Sequence, residues 1–200
     1  VVETDKLLKM LPEYLKKDEV VALGETGIEV THYTSQWRLG EPAVVLKEQF
    51  KIAKQLDMPI IVHTPVQKLY SQGWDEYLQS PLIKFPEAKL EATKRSLELL
   101  EEAGVEETKV IIDHADTSIS DMVLENHKCY LGFSIGCPWR KLSLEDVASV
   151  IKKYGADRII INSSLVGNMY GDPFAMPRAI LGLRRLGISK EEIKQVVFDN

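Results

Sequence analysis

Six short apolar runs, VVAL, PIIVH, KVIID, YLGFSI, RIIIN and QVVFD, punctuate the chain, and a helix-period segment separates each from the next. Every run is rich in Val and Ile and nearly lacks polar alternation, as strands covered on both faces of a parallel sheet do. The intervening segments, 42–56, 87–103, 120–126, 144–154 and 174–186, place apolar residues at steps of three and four. A further amphipathic segment, 5–15, has no strand before it. Stop and start signals sit where the pattern needs them. Gly104 follows ELLEEA, Gly155 follows VIKKY, and Ser143 precedes the segment carrying Glu145 and Asp146. This alternation predicts an α/β fold with a parallel sheet, and right-handed crossovers leave two architectures, an open doubly wound sheet or a (β/α)8 barrel. No low-complexity tract or linker interrupts the pattern, so residues 1–200 read as one domain.

The residues that finish the runs favour the barrel. A doubly wound nucleotide fold carries a glycine-rich phosphate loop after its first strand, and GETG at 24–27 is neither G-x-G-x-x-G nor a P-loop. The runs finish instead on Glu25, His63, His114, Ser134, Ser164 and Asp199. In a barrel such ends converge on one mouth, where the βα loops build the active site. The VVAL strand is expected to stop at Gly24 and to leave Glu25 at the turn. A glutamate there can also cap the following amides. A lone histidine at a strand end is ordinarily a hydrogen-bonded structural residue. Here only four histidines exist, and two of them end successive runs in the same way, PIIVH and VIIDH. Neutral imidazoles beside a carboxylate suit zinc, manganese or iron. His32, in a loop, and His127, at a helix end, read as solvated.

Composition narrows the partners. A net charge of -5 argues against holding nucleic acid by bulk electrostatics, while a local basic pocket stays open. No apolar run approaches the roughly 18 to 20 residues that cross a bilayer, and the first residues are not a signal peptide, so a cytoplasmic, membrane-free protein is expected. Cys129 and Cys137 are too few for a disulfide scaffold and read as two buried thiols. Loops after the strands offer Trp37, Arg38, Trp74, Trp139, Arg140 and Tyr170. Arginine forks pair with phosphate and aromatics stack on bases, which suits a small phosphoester or a nucleic acid substrate. The tryptophans serve equally well as packing under a lid, for which 65–86 has the length.

The ordered series GETGIE, MPIIVHTP, VIIDHA, YLGFSIG and RIIINSS resembles the TatD-like metal-dependent hydrolases of the amidohydrolase superfamily, and their archaeal branch in particular, over about 20–200. The resemblance implies a distorted TIM barrel with a dinuclear centre of zinc, magnesium or manganese. Glu25 would bridge the two metals, and His63 and His114 would bind the second. Water held between the ions would attack a phosphoester or amide-like bond, as in a deoxyribonuclease or phosphodiesterase. Independently of the resemblance, Arg38, Trp139 and Arg140 are the loop residues expected at the substrate.

Two departures accompany the match. The H-x-H pair that ends the family's first strand is absent, so the first metal site is incomplete and the barrel is expected to lack its first strand-helix units. Where the family has E-T-D after its seventh strand, this chain has Asn162, Ser163 and Ser164. Ser164 thus stands at the position of a catalytic Asp, and losing a general base costs about 10² to 10⁴ in rate. Asp172 is an alternative acid downstream. Three functions follow: a TatD-type hydrolase using Glu25 and the residue at 164, a catalytically impaired relative serving as a binding or structural module, or another amidohydrolase activity such as a deacetylase or lactonase.

Overall fold

The computed structural model describes residues 2–28, 40–65, 87–136, 142–164 and 172–200. They form α1 (Val2–Leu15), β1 (Leu23–Gly27), α2 (Gly40–Gln55), β2 (Ile60–His63), α3 (Glu87–Ala103), a 3-10 turn (Glu107–Lys109) and β3 (Val110–Asp113). The chain continues through α4 (Thr117–Asn126), β4 (Tyr130–Ser134), α5 (Leu144–Tyr154), β5 (Ile159–Asn162), α6 (Ala175–Arg185) and α7 (Lys190–Lys194), which runs on as a π-helical turn (Gln195–Asp199). The strands form one sheet in the order β1-β2-β3-β4-β5. β1 and β2 run parallel, as do β4 and β5. This is the α/β class with a parallel sheet that the alternation predicts. No helix among the described residues is long and apolar enough to cross a membrane.

The described residues divide into two compact units, the first reaching to residue 111 and the second beginning at 112. In the first, Ala43, Leu46, Phe50 and Ala53 line one face of α2 at helical spacing and are all buried. Ile60 and Val62 of β2 and Leu99 and Leu100 of α3 are buried in the same unit. Asp57, at φ 56, ends α2 in the left-handed conformation that Asp tolerates better than most residues. The Met58 amide then donates to the Ala53 carbonyl at 2.9 Å.

The second unit is punctuated by helix caps. Asp116 accepts from the Ser118 amide to start α4, and capping boxes at Ser143–Asp146 and Ser189–Glu192 start α5 and α7. Gly155, at φ 81, ends α5. The core includes Ile119, Val123, Leu131, Phe133, Val147, Ile151, Ile159 and Ile161. Cys129 is buried as expected, and Cys137 lies outside the described residues.

Three expectations need correction. The first strand does not stop at Gly24: β1 begins at Leu23 and runs to Gly27, so Glu25 lies inside it, and Val21 of the VVAL run is 79% exposed. The cause is pairing, since Leu23 is opposite Ile60 and Gly27 opposite His63, with a bulge between Leu23 and Thr26. The QVVFD run is not a strand. The helix begun by the Ser189–Glu192 box continues through it, burying Val196 and leaving Phe198 82% exposed. The β propensity of two valines is a weak preference that such context overrides. Finally, coverage on both faces holds for β4, whereas in β2, β3 and β5 buried residues alternate with half-buried ones.

Candidate metal centre

The first unit holds a carboxylate and an imidazole together by bringing two backbones unusually close. A methyl group on Gly27 would lie 2.2 Å from the His63 carbonyl oxygen, and one on Gly24 would lie 2.7 Å from the Ile61 Cβ. Neither position accepts a side chain without movement, which is why glycines flank the acid. The bulge at 24–25 re-aims the strand, as bulges beside active sites do. Thr26 donates to Gln49 of α2 at 2.5 Å. Glu25 Oε1 comes within 3.3 Å of His63 Nδ1, and the two side chains are 40% and 21% exposed.

That separation can be tested against a shared cation. With metal–ligand distances of about 2.1 Å, two ligands of one ion sit roughly 3.0 Å apart at octahedral angles and roughly 3.4 Å apart at tetrahedral ones. The observed 3.3 Å falls between these values. The pair fits a divalent metal without rearrangement.

In the second unit, His114 directly follows β3 and is buried. Its φ of 59 is left-handed, a conformation that a non-glycine residue adopts at a cost of about 1 to 2 kcal/mol and that clusters at functional sites. Its Nδ1 lies 2.8 Å from Ser134 Oγ and 3.6 Å from Asp113 Oδ2. Ser134 donates to Asn162 Oδ1 at 2.9 Å, and Asn162 Nδ2 donates to Asp113 Oδ1 at 2.9 Å. Asp113, Ser134 and Asn162 are the last residues of β3, β4 and β5. Ser134 and Asn162 face each other in register. Gly132 makes room for the carboxylate, because a methyl group there would lie 2.3 Å from Asp113 Oδ1.

Glu25, His63 and His114 are accordingly the candidate metal-binding residues, a carboxylate and two imidazoles. Ser164 lies two residues beyond β5 at φ 45, also left-handed. Asp172 is engaged at the start of α6: it accepts from the Phe174 amide at 2.9 Å and pairs with Arg178 at 3.0 Å. His127 caps the end of α4. Arg38, Trp139 and Arg140, expected at the substrate, lie outside the described residues, as do Trp37, Trp74, Tyr170, His32 and residues 66–86. Sequence reasoning places Ser134 among the strand ends and Asn162 at the start of the Asn-Ser-Ser segment, but links none of Asp113, Ser134 and Asn162 to His114. A polar residue closing each of three consecutive apolar runs was the signal available.

A parallel sheet with a carboxylate and imidazoles at its strands defines an α/β protein with candidate metal ligands. Comparison with known proteins assigns the family: the chain belongs to the TatD related DNase family, whose description matches residues 1–200. It is 32% identical over 194 residues to an uncharacterized metal-dependent hydrolase of Methanocaldococcus jannaschii, a match covering 97% of this chain and 64% of the relative. The chain therefore spans just under two thirds of that protein's length. Among solved structures it is similar to the TatD-like protein of Archaeoglobus fulgidus, with 26% identity, a TM-score of 0.62, and coverage of 96% of this chain and 63% of that one. The phosphotriesterase homology protein of Escherichia coli, solved with phosphate in its active site, shares the fold at a TM-score of 0.67 and 14% identity, with 98% and 65% covered.

Proposed function

We propose that the chain carries the metal-binding residues of a phosphodiesterase or deoxyribonuclease, with Glu25, His63 and His114 as ligands of a dinuclear centre of zinc, magnesium or manganese. The observation that supports this most directly is the Glu25–His63 separation of 3.3 Å, which suits two ligands of one cation. A divalent ion bound there lowers the pKa of a coordinated water and stabilises charge on a phosphoryl oxygen. The chain's own residues supply the rest. Glu25 contributes negative charge that offsets the cation, and the neutral imidazoles hold it without adding charge. Arg38 and Arg140 pair with the substrate phosphate, and Trp139 stacks on a base.

The test is elemental analysis of the purified protein, paired with hydrolysis of a chromogenic phosphodiester and of an oligodeoxynucleotide. Bound divalent metal is expected in the unaltered protein, with loss of both metal and turnover in His63→Ala. Protein that binds no divalent metal when supplied with it sinks the proposal.

A second reading is favoured by Ser164. Its hydroxyl is uncharged and a poor proton acceptor near pH 7, yet it stands where the resemblance expects an Asp, and its backbone is held at φ 45. On this reading the chain is a binding or structural module that does not turn over generic phosphodiesters. Ser164→Asp is then expected to raise phosphodiester hydrolysis by about 10² or more. Full metal-dependent turnover by the unaltered protein removes it.

A further inference from the structure

We propose that Asp113, Asn162 and Ser134 act as positioning residues that fix the tautomer of His114, keeping its proton on Nδ1 so that Nε2 carries the lone pair a metal binds. This rests on reading His114 as a metal ligand. The argument starts at the carboxylate, which only accepts hydrogen bonds. Asn162 must therefore turn its Nδ2 toward Asp113 Oδ1, at 2.9 Å. An amide flipped the other way would set its carbonyl against a carboxylate, so the choice of orientation is determined by the partner.

With Nδ2 committed, Asn162 presents Oδ1 to Ser134, again at 2.9 Å. A carbonyl oxygen only accepts, so the single hydroxyl proton of Ser134 goes to Asn162. Ser134 Oγ has only lone pairs left to offer His114 Nδ1, 2.8 Å away. That nitrogen must supply the proton. Asp113 Oδ2, 3.6 Å from the same nitrogen, favours the same tautomer.

Burial makes the ordering strict, since Ser134 is 1% and His114 7% exposed. A wrongly protonated member would leave a buried polar atom unsatisfied, at about 1 to 3 kcal/mol. No buried side-chain polar atom among the described residues lacks a partner. The three residues close consecutive strands, so the sheet itself holds the donors and acceptors in place.

The tautomer can be read in the metal-free full chain from two-bond proton–nitrogen correlations of the imidazoles at about pH 8.5, above the ordinary histidine range near 6.5. The expected result is His114 protonated on Nδ1. In Ser134→Ala and Asn162→Ala the ring shifts toward the other tautomer or a mixture, and zinc affinity measured by calorimetry falls by about 10- to 100-fold. Asn162→Ala acts one residue removed from the imidazole and serves if Ser134→Ala does not fold. A wild-type His114 protonated on Nε2 overturns the proposal whatever the metal does, and unchanged zinc affinity in folded variants overturns the positioning role. Protonation on Nδ1 in a chain that binds no zinc supports the relay and overturns the metal reading alone.

Discussion

Glu25–His63 in the first unit and Asp113–Asn162–Ser134–His114 in the second are two ways of holding an imidazole. The first pair is partly exposed and owes its closeness to backbone: two glycines let β1 approach β2 until the carboxylate meets the ring at 3.3 Å. The second is buried and owes its order to side chains, each hydrogen bond fixing the direction of the next. The lesson is that one imidazole is placed by steric fit and the other by proton logic, so different substitutions should break them.

The largest effect is expected at the glycines. Gly27→Ala sets a methyl group against a backbone oxygen that cannot move aside, and should destabilise the chain by about 3 kcal/mol or more. Gly132→Ala meets a side-chain carboxylate that can rotate away, so about 1 to 3 kcal/mol is expected, together with a disordered His114 ring. Denaturant midpoints for both variants check the order. Equal costs would mean that side-chain and backbone obstruction do not differ here as claimed.

Removing the rings separates the two regions further. His114→Ala strips a buried partner from Ser134 and should cost about 1 to 3 kcal/mol. His63→Ala removes a ring that is 21% exposed and should cost less, about 1 kcal/mol or below. Both should lose bound divalent metal. If His63→Ala proves as destabilising as His114→Ala, the contrast between an open and a buried imidazole fails.

Much of this was legible in the sequence. The helix boundaries at Ala103, Leu144 and Tyr154 follow from Gly104, Ser143 and Gly155, because those signals are local. A shared role for His63 and His114 is suggested by their closing successive apolar runs in the same way, PIIVH and VIIDH. What could not be read is longer in range. β1 was misplaced because its limits are set by register against β2, and the last apolar run became helix because a cap several residues earlier outranks local β propensity. The relay was invisible for the same reason: Asp113, Ser134 and Asn162 are 49 positions apart at their extremes and meet only through strand register.

The smallest effects belong to exposed charge clusters, one in each unit. Glu102 is held below its ordinary value of 4.5 by hydrogen bonds from Lys47 first and Arg95 second. Asp121 is held below 3.8, chiefly by the Tyr154 hydroxyl and then by Lys153. Tyr154, pushed up to about 12 by desolvation, remains a protonated donor throughout. A carboxylate depressed in the folded state contributes stability that is present above its unfolded value and is lost as pH falls through the folded one. Both clusters should therefore be silent between about pH 6 and pH 8 and weaken the fold only below about pH 4.5. Glu102→Gln and Asp121→Asn should each flatten that acid limb slightly, and about 1 M salt should have the same effect, because exposed pairs are screened. Salt should leave the Nδ1 protonation of His114 untouched, since its partners are buried and its order comes from hydrogen-bond direction. A His114 tautomer that shifts with salt would place the relay among the surface interactions and erase the difference between the two regions.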